Sequence, residues 1–196
     1  MGLGSGSQPG GWARWISAAL FAAVLLCFFL PFASTSCTLP GGYGNGAQGT
    51  STVYHGTDFL TGSEPSLNQN GVPPPNQPES GVVLGVQIPA ILAVLSCISG
   101  LAASLVVRRR RHLTALCLAV VAGLLLILNQ LSVRQQIADR ISHDFNGRLV
   151  SGKVPSDYVN NEPGFWLALL LLLGAATING IAVLRERRKY HRTGGV

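Results

Sequence analysis

Apolar residues fall into four long runs, residues 15–35, 86–107, 113–131 and 165–184, and none of these runs contains Asp, Glu, Lys, Arg or His. A hydrocarbon core about 30 Å thick takes roughly 20 apolar residues of α-helix, so each run is long enough to cross it. Four helices apolar on every side would need amphipathic elements to cover them in water, and little of the chain remains for that. The pattern predicts an all-α membrane protein with four transmembrane helices in an antiparallel bundle.

The segments between the runs differ from one another. Residues 36–85 form an outer loop rich in Gly, Pro and Asn, punctuated by Gly41-Gly42, Asn45-Gly46, Asn70-Gly71 and Pro73-Pro74-Pro75. Such a composition predicts an irregular loop, disordered over 63–80. Its one distinct piece is residues 52–60, where Val53, Tyr54, Phe59 and Leu60 suit a short strand or a surface packed on the helices. In the second outer segment, 132–164, Val133, Ile137, Ile141, Phe145 and Leu149 recur every four residues directly after the third run. That stripe predicts that the third helix continues outside the membrane to about Asn146-Gly147, roughly 20 Å beyond the core. The stripe needs a partner, and residues 54–60 or 154–159 are nearest. The inner connection, 108–112, is short enough to make the second and third spans a tight hairpin. Small residues at intervals of four, Ser96, Gly100 and Ser104 on one span and Ala115, Ala119 and Gly123 on the other, predict close helix packing. The same spacing serves a bundle or an oligomer.

Charge sets the orientation. Only 11% of the 196 residues are charged and the net charge is +6. Arg14, the run Arg108-Arg109-Arg110-Arg111 and the tail residues Arg185, Arg187, Arg188, Lys189 and Arg192 fall on one side, with Glu186 as the single acid. By the positive-inside rule that side is cytoplasmic, which places the tails 1–14 and 185–196 inside. Trp12, Trp15 and Trp166 stand at span ends, where amphipathic rings prefer the headgroup region. A second reading of the first run is a secretory signal, because it ends in Ala33-Ser34-Thr35-Ser36 before Cys37, with acylation of Cys37 as a variant.

The candidate chemistry is sparse. Ser96, Ser99, Ser104, Asn129, Gln130, Thr177 and Asn179 are polar positions within the runs, read as interhelical hydrogen-bonding groups. With no ionisable group in the runs, a proton-driven carrier is disfavoured. Cys27, Cys97 and Cys117 lie inside runs and Cys37 alone lies outside, so the outer loops share no disulfide. His55 with Asp58 and His143 with Asp144 read as solvated loop residues rather than metal ligands. No metal and no cofactor is predicted, and the chain is not read as an enzyme. Expected partners are the bilayer, with anionic headgroups at the basic inner face, and a membrane or envelope protein at an outer surface built from Tyr54, Asp58, Phe59, Ile137, Ile141 and Phe145; nucleic acid is not expected. A non-catalytic accessory, scaffold or envelope interaction protein is the leading reading. The alternative is a small transporter or channel subunit with a wet path past Asn129, Gln130 and the serines.

Three short motifs suggest a family: Pro31-Phe32 followed by Ser36-Cys37, then Tyr54-x-Gly56-x-Asp58, and Gly164-Phe165-Trp166-Leu167 opening the last run. Together they resemble a group of uncharacterised four-span integral membrane proteins of actinobacteria. The resemblance implies a bacterial plasma-membrane protein and carries no activity, ligand or site.

Overall fold

The computed structural model describes residues 11–37, 50–64, 66–68, 84–106, 111–144 and 159–193. Along them run helix α1 (Gly11–Cys27), strands β1 (Pro31–Cys37) and β2 (Thr50–His55), helix α2 (Gly56–Thr61), strand β3 (Ser66–Asn68), helices α3 (Ile88–Val106) and α4 (Arg111–Asp144), strand β4 (Val159–Asn161) and helix α5 (Pro163–Thr193). The described chain is mostly helical, and α3, α4 and α5 are each long and apolar enough to cross a membrane.

The expected first span, 15–35, is corrected. Helix α1 stops at Cys27 and counts among the shorter apolar helices. Pro31 explains the stop, because it has no N–H and its ring would clash with the Cys27 carbonyl four residues back. Ahead of it the chain tightens into i→i+3 bonds, Phe28 N to Leu25 O at 3.3 Å, Phe29 N to Leu26 O at 3.1 Å and Leu30 N to Cys27 O at 2.9 Å. Beyond Pro31 the same apolar run becomes a strand.

The expectation of an all-α chain with an irregular first loop is corrected too. The four strands pair antiparallel in the order β3-β2-β1-β4. β1 has a neighbour on each side, and Phe32, Ala33, Ser34 and Thr35 are all buried. β2 alternates instead, with Thr52 and Tyr54 buried and Val53 and His55 half-buried. Residues 66–68, read as disordered, pair with Ser51, Thr52 and Val53. β4 brings the second outer segment into the same sheet. Because 31–37 form an inner strand, the cleavage that a secretory signal requires would remove most of it. The turn dipeptides of 41–46, residues 69–83, the arginines 108–110, Phe145, Asn146-Gly147 and residues 154–158 lie outside the described residues.

The four long helices pack in a ring, α1 against α3 and α5, and α4 against α3 and α5. Gln87, just before α3, exchanges two 3.2 Å hydrogen bonds with Gln136 late in α4. Ser17, early in α1, lies 3.2 Å from Ser104 at the end of α3. With 34 residues, α4 is about 51 Å long, some 20 Å more than a bilayer core. In that excess length Val133 and Ile137 are buried in one core with Tyr54, Phe59 and Val159. The side chain of Ile141 lies outside the described residues.

Gly100 does allow a close approach, and the helix it receives is α1. A Cβ on Gly100 would sit 2.6 Å from the Phe21 ring, so the glycine is the notch that receives that ring. Gly100→Leu is therefore expected to lower stability in detergent by about 1–3 kcal/mol through overpacking. The Phe21→Ala/Gly100→Leu double variant should lose less than the sum of the two singles, measured by thermal unfolding. Leu124→Ile, on an outward face, should change little. Strict additivity of the two singles would place the clash elsewhere.

Candidate functional site

Polar side chains gather at the two ends of the bundle, separated by an apolar waist. At one end Asn179 of α5 donates through Nδ2 to Ser17 Oγ and to the Ala175 carbonyl, both at 2.8 Å. With both amide hydrogens engaged, its Oδ1 is the acceptor, so His112 Nδ1 at 3.2 Å carries the hydrogen. Ser104, 3.2 Å from Ser17, donates to the Gly100 carbonyl at 2.8 Å. His112 Nε2 faces Glu186 Oε1 at 4.0 Å on the exposed side. Helices α1, α3, α4 and α5 each contribute to this layer. Ser17, Ser104, His112 and Asn179 are all buried.

The opposite end is organised around α4 and the sheet. Gln130 donates to Asn161 Oδ1 of β4 at 2.7 Å. Asn129, only 1% exposed, has no partner for its Oδ1 among the described residues, and the same holds for Gln130 Oε1. A buried acceptor left in that state costs about 1–3 kcal/mol. Ser34 of β1 donates to Glu162 Oε1 across the sheet.

Between the layers stand Phe21, Val24, Ala93, Cys97, Ala119, Ala122, Leu172 and Ala175, all buried. About 25 Å of α4 separates His112 from Asn129. No polar side chain buried in that interval links the two layers among the described residues. In this arrangement the waist is apolar.

Above the second layer an aromatic node joins the bundle to the sheet. Phe32 lies 5.2 Å from Phe28, 6.3 Å from Phe59 and 6.4 Å from Phe165 between ring centroids, and Tyr54 stacks on Phe59 at 6.5 Å. Gly56 presses on the Phe28 backbone and Gly164 on the Pro31 carbonyl, so tightly that neither position has room for a Cβ. Asp58 accepts from His55 N at 2.7 Å and from Ser63 Oγ at 3.1 Å, which holds the first turn of α2. Gly62, at φ 67°, ends α2 in the left-handed conformation. Pro31, Phe32, Tyr54, Gly56, Asp58, Gly164 and Phe165 of the three sequence motifs thus meet at one seam, where their role is packing and capping, while Trp166 and Leu167 are exposed.

The sequence-predicted residues divide accordingly. Tyr54, Phe59 and Ile137, expected on an outer interaction surface, are core residues instead, each at most 1% exposed. Asp58 is half-buried, and the side chains of Ile141 and Phe145 lie outside the described residues. Gly100 and Ser104 face α1, while Ser96 is half-buried. Ala115 and Ala119 are buried on α4, whereas Gly123 is half-buried with open space where a Cβ would stand. Ser17 and His112 escaped sequence reasoning. Ser17 is an isolated hydroxyl in an apolar run, and His112 follows four arginines that read as a solvated turn. Among the described residues no three His, Cys, Asp or Glu side chains cluster as a metal site. No protein-family model and no curated protein matches this chain.

The four-helix network yields a coupling measurement. Ser17→Ala and Asn179→Ala should each destabilise the purified protein, and a double-mutant cycle should return a coupling of about 0.6 kcal/mol, with about 1.7 kcal/mol as the upper end for membrane hydrogen bonds. Zero coupling would mean that the two side chains are neighbours without a shared bond. At the other end, Ile137→Asp puts an unpaired charge into the seam and should cost about 3–5 kcal/mol locally. Limited proteolysis of the outer segments should then accelerate while membrane insertion is unchanged.

Proposed function

We propose that this chain is a four-span protein of a bacterial plasma membrane, with α1, α3, α4 and α5 antiparallel and both termini cytoplasmic. It acts without catalysis, as an accessory, scaffold or envelope interaction protein that presents its outer cap to a partner. The cap consists of the sheet, α2 and the outer end of α4. The motif resemblance to actinobacterial four-span proteins belongs to this reading.

One observation carries it: the cap shares a single core with the helices, so it is a rigid platform rather than a tethered loop. A belt of exposed large apolar residues on all four long helices supports insertion, from Trp15 and Phe29 to Leu128, Leu173 and Leu184. With its i→i+3 extension to Leu30, α1 offers about 20 residues from Gly11, near the length needed. Because Tyr54, Phe59 and Ile137 are buried, the surface left for a partner is polar. It includes Ser63, Glu64, Asp139, Arg140 and Asn160. The unpartnered acceptors of Asn129 and Gln130 favour a second reading, a small transporter or channel subunit, against which the apolar waist stands.

Two measurements test these readings. In a background lacking the native cysteines, single cysteines at Glu64 and Asn160 should label in intact cells, and one at Arg188 only after permeabilisation. Labelling of Arg188 from outside would overturn the orientation. A photo-crosslinker at Glu64 or Asp139 should capture one protein repeatedly, while the same group at Leu128 captures lipid. Absence of protein adducts from every exposed cap position, together with water access at Ala122, would transfer the case to the second reading.

A further inference from the structure

Helix α5 continues past its apolar stretch as one helix to Thr193, and the arginines on that extension are not spread evenly around it. Five turns of α-helix take about 18 residues, so residues that far apart share a face. Arg185 falls on the face of Leu167 and Arg188 on the face of Leu170, and both leucines are exposed in the apolar belt. Glu186 falls on the face of Ala168, which is fully buried, and accordingly it is Glu186 that turns toward His112. Arg185 and Arg188 thus prolong the outward face of α5 and Glu186 its inward face, while Arg187 falls on the face of half-buried Leu169.

Depth agrees with azimuth. Arg185 follows directly on exposed Leu184, and Arg188 is about 6 Å beyond the last apolar residue, within a headgroup layer about 5–8 Å deep. Cα–Cβ bonds lean toward a helix's N-terminus, which in α5 is the cap end, so both arginines lean back toward the apolar belt. Orienting a span requires only a count of positive charges on one side. It does not require them to line up with the lipid-facing leucines.

We infer that Arg185 and Arg188 form a binding strip for the phosphodiester headgroups of anionic lipids. The inference rests on the reading of α5 as a membrane span. A zwitterionic headgroup carries its own ammonium beside the phosphate, so a strip of cations selects the lipid without that internal counter-charge. Arginine is suited to the task, since its planar fork matches phosphate oxygens in pairs.

The test uses the purified full chain in detergent, titrated with phosphatidylglycerol or phosphatidylcholine and read by native mass spectrometry. Wild type should retain phosphatidylglycerol in preference. Arg185→Gln/Arg188→Gln should weaken that retention about thirtyfold, taking roughly tenfold per 1.4 kcal/mol and about 1 kcal/mol per cation. The charge-matched Arg140→Gln/Arg187→Gln should stay within about threefold of wild type. All four positions are exposed, and unchanged helical circular dichroism checks that both variants are folded. Equal retention of the two lipids by wild type, or equal losses in the two variants, overturns the strip. Displacement of phosphatidylglycerol by an equal concentration of inorganic phosphate overturns the lipid as its ligand. Detergent removes sidedness, so failure here is separate from failure of the spanning reading, which cysteine labelling at Arg188 reports.

Discussion

A helix that ends within an apolar run leaves carbonyls that need donors, and the rest of this structure follows from how α1 meets that need. Pro31 forces the end, and the outer segments supply the donors. Thr57 N donates to Phe28 O at 2.9 Å, Gly56 N to Leu30 O at 3.4 Å and Glu162 N to Phe32 O at 3.0 Å. The first two bonds, both from the segment after β2, serve the tightened end of α1, and the third ties β1 to the residue after β4. The bundle and the cap are therefore mutually dependent: without the cap α1 has no permissible terminus, and without Phe28, Phe32 and Phe165 the cap has little to pack upon. Gly56 serves the same end, because its N–H reaches the Leu30 carbonyl only where no side chain holds the chains apart, and Gly164 lets α5 start against the Pro31 backbone.

The helices were legible in the sequence because hydropathy over 20 residues is a strong signal, and the stripe of α4 was legible because a period near four is unambiguous after a span. The end of α1 was not, since an apolar run looks the same whether helix or inner strand follows. Only Pro31 marks the change, and a proline near the end of an apolar run also fits a kinked span. β1 escaped for a related reason. With β2 on one side and β4 on the other, its residues are buried without alternation, and the period-2 pattern that identifies a half-exposed strand is missing. Tyr54 and Phe59 were picked out correctly as unusual for a Gly-rich loop, but a large side chain in such a loop marks the place where the loop finds its core. Gly100 was legible as a close-packing position, whereas its partner Phe21 was not, because spacing along one helix says nothing of which neighbour it meets.

Polar layers at both ends and an apolar waist also explain how four similar apolar helices keep one register. Apolar surfaces slide against one another at little cost in lipid, because tails are as apolar as leucine. A shift of one turn would separate Asn179 from Ser17 and His112, and leave several buried donors and acceptors unpaired at about 1–3 kcal/mol each. The Gln87–Gln136 pair does the same for α3 and α4 at the other end. Register is thus fixed by a few polar groups and stability by the apolar remainder.

These constraints bear on what the molecule can transmit. Gln87, which holds α4 through Gln136, donates its backbone N–H to the Phe59 carbonyl of α2 at 2.8 Å, so α2, α3 and α4 are joined at one residue. A force applied to the cap passes into α3 and α4 through that residue and into α1 and α5 through Phe32. At the far end the same four helices meet again at Ser17, Ser104, His112 and Asn179. Packed interfaces of this kind shift as units rather than deform gradually. A displacement of the sheet end would therefore carry the opposite ends of the four helices together, including the extension of α5 that bears Arg185 and Arg188.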